Sequence, residues 1–141
     1  MTIKIKKLHE DAVVPRYAKE HDAGMDFFSN ESLVLQPGER KLVSTGISMA
    51  IPQGYVGLIW DKSGIATKHG LKTMAGVIDA GYRGEIKILI HNLSNEKYVI
   101  EKGNKVAQML IQPVEQREII IVSELDSSDR GEGGFGSTGL I

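Results

Sequence analysis

The run Ala75-Gly76-Val77-Ile78-Asp79-Ala80-Gly81-Tyr82-Arg83-Gly84-Glu85-Ile86-Lys87-Ile88-Leu89-Ile90 decides the fold. Its apolar start, Ala75 to Ile78, reads as a short strand that delivers one carboxylate, Asp79. Gly81 and Gly84 then predict a tight hairpin turn bracketing an aromatic, Tyr82. From Glu85 onward, Ile86, Ile88 and Ile90 alternate with Lys87 and Leu89, the period of a strand with one buried face. An acid and an aromatic at a tip, with bare backbone beside them, suit recognition of a small flat ligand. On these residues alone, Asp79 serves equally well as a plain turn cap.

Outward from this run the same grammar repeats. Ile3, Ile5 and Leu8 open the chain as a strand with basic residues on its other face. Leu33-Val34-Leu35 meets the turn Gln36-Pro37-Gly38, and Ile47, Met49 and Ile51 alternate up to Pro52-Gln53-Gly54. Tyr55–Trp60, Tyr98–Ile100, Val106–Ile111 and Ile119–Val122 follow as further strands. Short strands punctuated by Gly and Pro-Gly predict an all-β sandwich or barrel. Only the stretch after Ser63, Ile65 to His69, is read as a short helix. Beyond Ser123 the composition shifts to a tail with five glycines between Gly131 and Gly139.

A chain of 141 residues is one domain with room for a proper core. Seventeen basic residues against 18 acidic ones give no field for general nucleic-acid or membrane binding. With no cysteine, disulfides, zinc–thiolate sites and thiol catalysis are excluded. The start, Met1-Thr2-Ile3-Lys4, carries no apolar signal region, and the aliphatic run Ile119–Val122 is too short to cross a bilayer. The expectation is a cytoplasmic protein.

Five segments stand out for chemistry: Ala23–Ser29, Asp61–Ala66, Gly76–Glu85, Gly103–Met109 and Arg130–Gly139. The last contains Gly131, Gly133 and Gly136 in the dinucleotide spacing Gly-x-Gly-x-x-Gly. No βαβ unit surrounds it, so a Rossmann reading fails. What remains is physical: glycine backbone approaches anionic oxygens closely, and Arg130 can fork onto a phosphate. Phe135 offers a face for a base. A disordered Gly-rich tail is the competing reading. Taken singly, Asp26 is a turn residue or a support for a hydrated cation. Lys62-Ser63-Gly64 is a helix start or a phosphate cradle. Gln108 is a satisfied core amide or a reach toward a phosphate oxygen. The four histidines show no metal-ligand spacing.

In this order, the five segments resemble the trimeric deoxyuridine triphosphatase (dUTPase) family, from about Ala23 to Gly139. Gly76-Val77-Ile78-Asp79 with Tyr82-Arg83-Gly84-Glu85, and the tail from Arg130 to Gly139, are the specific parts. The resemblance implies a distorted jelly-roll-like β-barrel of the β-clip type. Residues 1–125 would form the barrel domain. Residues 126–141 would be a mobile tail closing over a neighbouring subunit's active site. It implies a homotrimer that hydrolyses dUTP to dUMP and pyrophosphate with Mg2+ on the triphosphate, with no nucleic-acid or membrane partner. Such an activity limits uracil incorporation into DNA and supplies dUMP for dTMP synthesis.

Residue by residue, Asp79 would activate the water that attacks the α-phosphorus in line. Tyr82 would lie against the deoxyribose and leave no room for a 2′-hydroxyl. The backbone of Gly76, Val77 and Ile78 would read the uracil edge. Lys62, Ser63, Gly64 and Gln108 would hold the phosphates, and Asp26 would support Mg2+ through water. Arg130, Phe135, Gly136 and Ser137 would close over the nucleotide, with Phe135 stacked on uracil.

The sequence departs from the family pattern at Asp61 and Lys62, where Pro and Arg are usual, and lysine loses the planar fork of arginine. Leu71–Ala75 is shorter than in many members and lacks an Asn-bearing uracil loop. Gly81 stands where Asp is common, and Phe27-Phe28 replaces a Leu-containing pair. Two rival readings follow. A deoxycytidine triphosphate deaminase shares the fold, but its catalytic glutamate would fall at about Leu89. A noncatalytic trimeric binding protein would have no need of Asp79, Tyr82, Arg130 and Phe135 together.

Overall fold

The structure is a computed structural model and describes residues 2–134. The elements are β1 (Lys4–Lys7), β2 (Met25–Phe28), β3 (Leu33–Leu35), β4 (Arg40–Ala50), β5 (Tyr55–Trp60), α1 (Ser63–His69), β6 (Leu71–Met74), β7 (Val77–Ile78), β8 (Glu85–Asn92), β9 (Tyr98–Ile100) and β10 (Lys105–Pro113). They make two four-stranded sheets, β1-β4-β8-β6 and β2-β10-β5-β7, and a two-stranded ribbon, β3-β9. This is the all-β, jelly-roll-like architecture expected. The pairing among the described residues leaves the sheets unjoined at their edges rather than closing them into one continuous barrel.

The isoleucine alternation sets the core. Ile86, Ile88 and Ile90 are each 1% exposed, while Lys87 between them faces outward. Val43, Ile47 and Met49 of β4 join them, facing Phe27, Met109 and Ala107 of the other sheet. Burying an aliphatic side chain brings roughly 1.5–3 kcal/mol. The two sheets are therefore held chiefly by this shared layer. The short helix forms where expected, ends at Gly70 in the left-handed conformation (φ 63°), and buries none of its side chains.

Three expectations are corrected. Strand β7 holds only Val77 and Ile78, because Ala75 (φ 57°) and Gly76 (φ 104°) turn the backbone into the left-handed half of conformational space just before it. A Cβ on Gly76 would also meet Ile59 at 3.0 Å. The stretch before it, Leu71–Met74, is strand β6, paired with β8. Second, β7 and β8 are not a hairpin. Strand β7 pairs with β5, whereas β8 pairs with β4 and β6, so Asp79–Gly84 crosses from one sheet to the other. Neither Gly81 nor Gly84 needs positive φ for this crossing.

Third, Ile119–Val122 is no strand within the chain. Beyond Pro113 the described backbone pairs with no strand, and Ile119, Ile120 and Ile121 are 92%, 72% and 99% exposed. Strand-forming residues without a neighbouring strand have nothing to bond in one chain. No helix among the described residues is long and apolar enough to cross a membrane.

Candidate functional site

The crossing segment builds the first half of the site. Ile59 N–H donates to the Gly76 carbonyl at 2.8 Å, and Gly57 and Leu58 pair with Ile78 and Val77. Strand β7 is the last strand of its sheet, so its second edge keeps backbone donors and acceptors free of any strand partner among the described residues. A planar imide such as uracil offers the complementary groups. The Tyr82 N–H donates to the Asp79 carbonyl at 3.0 Å, which folds the corner. The phenol then donates to the Glu85 carbonyl at 2.9 Å. A Cβ on Gly84 would lie 2.6 Å from the ring carbon that bears this hydroxyl, so glycine there makes room for Tyr82.

Asp79 is exposed on the chain. It lies on the wall of a cavity of about 640 Å3 shared with Val77, Ile78, Tyr82, Glu85 and Lys87. A second recess of about 620 Å3, reaching Tyr55 and Val114, meets the first at Val77 and Asp79. Glu85 anchors the cavity floor. Its carboxylate accepts from the Ser44 hydroxyl and, at 2.9 Å, from the Gly46 N–H, and Lys87 approaches it to 3.6 Å. Burial opposes its ionisation, but these partners hold its carboxyl below the usual Glu value.

The second half lies where β2, β10 and β5 run side by side. The register pairs Gln108 with Asp26 on one side and with Trp60 on the other. That places Asp26, Gln108 and the Asp61-Lys62 corner together. Asp26 is 1% exposed, with Lys62 Nζ 2.5 Å from Oδ1 and Lys105 Nζ 2.7 Å from Oδ2. Burial pushes its carboxyl up, yet the two lysines win and its pKa falls below the ordinary Asp value. Gln108 Nε2 donates to the Asp61 carbonyl at 2.8 Å. Ser63 and Gly64 are exposed at the start of α1, and the chain makes no contact within 4 Å of a Cβ placed on Gly64. Lysine and bare backbone around an exposed turn are anion chemistry.

Among the described residues no three His, Asp or Glu side chains gather as a metal cage. Asp26 Oδ2, though close to Lys105, accepts no well-directed hydrogen bond. With a lysine ammonium within 2.7 Å of each oxygen, Asp26 would meet a cation only through its waters, and a hydrated Mg2+ would be held mainly by a ligand's phosphates.

The two halves do not meet within one chain. None of Lys62, Ser63, Gly64 or Gln108 lines either recess at Asp79. Arg130 is exposed and donates through Nε to the Gly133 carbonyl at 2.8 Å inside its own turn. Phe135, Gly136 and Ser137 lie outside the described residues. Two contributors went unread in the sequence. Lys105 reaches Asp26 because a β-bulge between Lys105 and Ala107 breaks the alternation that would oppose it to Gln108. Asp61 was read only as a departure, whereas its carboxylate grips strand β6 at Thr73.

A family model described as dUTPase matches residues 10–139. Deoxyuridine 5'-triphosphate nucleotidohydrolases of Clostridium kluyveri and Nautilia profundicola are 48% and 49% identical, the alignments covering 100% and 99% of both chains respectively. Among solved structures, a mutant dUTPase of Staphylococcus bacteriophage 80alpha with dUpNHpp superposes with a TM-score of 0.93 at 35% identity, covering 99% of each chain. A mutant dUTPase of S. aureus phage phi11, described with a structural Mg(II) ion, gives 0.85 at 33% identity over 90% of this chain and 100% of that one.

Proposed function

This chain belongs to the dUTPase family, and we propose that it hydrolyses dUTP to dUMP and pyrophosphate with Asp79 as the base. The observation that carries the reading is Asp79 exposed beside Tyr82 on the wall of a nucleotide-sized cavity, next to the open edge of β7. Uracil lies along β7, its edge hydrogen-bonded to the backbone of Gly76, Val77 and Ile78. Tyr82 lies under the sugar, where its fixed ring excludes a ribose 2′-hydroxyl. Asp79 accepts a proton from water as that water attacks the α-phosphorus in line with the departing pyrophosphate.

Lys62, Ser63, Gly64 and Gln108 bind the phosphates, with Asp26 fixing the direction of the Lys62 ammonium. Mg2+ carried on the triphosphate supplies charge neutralisation at the leaving group when bound. Because the halves are apart in one chain, the complete site draws them from different copies, and a homotrimer satisfies this by symmetry. Residues 126–141 act as a lid from a neighbouring copy. Arg130 approaches the terminal phosphate, and Phe135, Gly136 and Ser137 cover the nucleotide. The product, dUMP, feeds dTMP synthesis, and removal of dUTP limits uracil in DNA.

The test is pyrophosphate release from dUTP, dCTP, dTTP and UTP with Mg2+, for the wild type and Asp79→Asn. Selective turnover of dUTP, lost in the variant, is the expected result. Turnover that survives Asp79→Asn removes Asp79 as the base, and ammonia from dCTP would replace the hydrolase by a deaminase.

A further inference from the structure

Asp61 sits between β5 and α1 and is tied on every side. Its Oδ1 accepts from the Thr73 N–H at 2.6 Å and from the Thr73 hydroxyl at 2.7 Å, and Lys72 Nζ lies 2.5 Å from Oδ2. Its carbonyl accepts from Gln108 Nε2 at 2.8 Å. Burial disfavours its charge, but the hydrogen bonds from Lys72 and Thr73 hold its carboxyl below the usual Asp value, so it is ionised at neutral pH.

The turn that follows is held by the Lys62–Asp26 ion pair and by half-buried Ile65 against the core, but Ser63 and Gly64 between them are exposed. Lys62 is the N-cap residue of α1 but makes no side-chain capping bond, and the helix buries no side chain. Helices this short gain almost nothing from their own hydrogen bonds. The placement of Lys62, Ser63 and Gly64 must come from neighbours, and Asp61 is the neighbour with the most anchors. Those anchors lie on β6, which leads through Ala75 and Gly76 to β7 and Asp79.

We propose that Asp61 is a positioning residue for triphosphate binding, clamped by Lys72 and Thr73 so that the 62–64 turn is held ready for the phosphates. The clamp links two departures from the family pattern, the acid at 61 and the short stretch at 71–75. A proline restricts a corner through its ring. Here three charge-assisted or backbone hydrogen bonds to an adjoining strand do the same work. The inference rests on the reading of residues 62–64 as phosphate contacts.

The test is calorimetric binding of dUpNHpp and of dUMP, well below the melting temperature, with kcat and KM for dUTP alongside. Asp61→Ala should weaken dUpNHpp by about tenfold or more, the size of one well-placed hydrogen bond lost from a preorganised site, and leave dUMP within about twofold. Thr73→Val, a milder change, should weaken dUpNHpp by about threefold alone and by nothing further in the Asp61→Ala background. Hydrogen exchange at the amides of residues 62–66 should quicken in both variants. A melting temperature that falls while dUpNHpp affinity and KM stay at wild-type values would overturn the proposal, leaving Asp61 purely structural. Equal loss of dUpNHpp and dUMP would overturn it too. Lys62→Met separates the underlying reading: if it leaves dUpNHpp binding intact, the turn is no phosphate site and the clamp has nothing to position.

Discussion

On the proposed homotrimer, replacing both Ile119 and Ile121 by aspartate should separate the copies without unfolding their sheets. These side chains are 92% and 99% exposed, and Ile120, Val122 and Leu125 are 72%, 50% and 88% exposed on the same arm. Full burial of an aliphatic side chain is worth roughly 1.5–3 kcal/mol, so five on one arm bring roughly 7–15 kcal/mol to an interface. Association itself costs about 4–15 kcal/mol, the same order as the arm's contribution, so an assembly held by this arm should be sensitive to damage in it. Removing two isoleucines forfeits about 3–6 kcal/mol per arm before any cost of burying carboxylates. At 1.4 kcal/mol per decade, this raises the dissociation constant by about 10²–10⁴ per arm. Sedimentation velocity over a range of chain concentrations, with dUTP turnover at each, measures both effects. The variant should sediment as single chains with a wild-type β-sheet circular dichroism spectrum and little turnover. Wild-type mass and wild-type activity in the variant would refute the reasoning, as would a wild-type protein that is itself a single chain.

Other perturbations read other parts of the structure. A Cβ on Gly24 would lie 2.5 Å from Gln108 Oε1 and 3.1 Å from Gln108 Cβ, so Gly24→Ala should cost about 1–3 kcal/mol of overpacking. That lowers the melting temperature by roughly 3–10 °C and raises KM for dUTP as Gln108 is displaced, and an unchanged melting temperature would show the contact to be soft. Gly84→Ala drives the Tyr82 ring from its seat, so the ratio of kcat/KM for dUTP over UTP should fall while discrimination against dCTP persists. If the ratio holds, Tyr82 is not the sugar gate. Asp26, Asp61 and Glu85 ionise more readily in the fold than at their usual 3.8, 3.8 and 4.5. As pH falls through those values, the unfolded chain takes up protons that the native one still refuses. Stability should therefore be level from neutral pH to about 4.5 and fall steeply below. An acid limb unaltered in Asp26→Asn/Asp61→Asn would trace the fall to other carboxylates.

Much of the fold was legible because its signals are local. Ile86, Ile88 and Ile90 announce a half-buried strand, and Ile65 to His69 after Ser63 announces the short helix. The tight corner from Asp79 to Tyr82 was legible for the same reason, since the bond that closes it spans three residues, although the hairpin read around it was not there. What failed was pairing. Nothing in Val77-Ile78 says that it bonds to β5 rather than to β8, because partner choice is decided by the whole sandwich. Ile119–Val122 has a strand's composition, but composition does not reveal that no strand of this chain lies beside it. Lys105 was hidden by a bulge that a strict period of two cannot anticipate. Asp61 was hidden by distance along the chain, its grip falling on Lys72 and Thr73, a full helix away.

The separation of the Asp79 cavity from the Lys62–Gln108 cluster has a genetic corollary. On the proposed shared site, a chain carrying Asp79→Asn and a chain carrying Lys62→Met should each be inactive alone, because each defect strikes a different half. Dissociated, mixed in equal amounts and reassembled at random, about a quarter of the sites would take an intact half from each parent. Two silent preparations would thus yield an active mixture, and two damaged alleles in one cell would rescue each other. Uniting both substitutions in one chain, then mixing it with wild type, would show the reverse. Each doubly damaged chain would spoil half-sites belonging to its sound neighbours, so activity would fall faster than the proportion of wild-type chains.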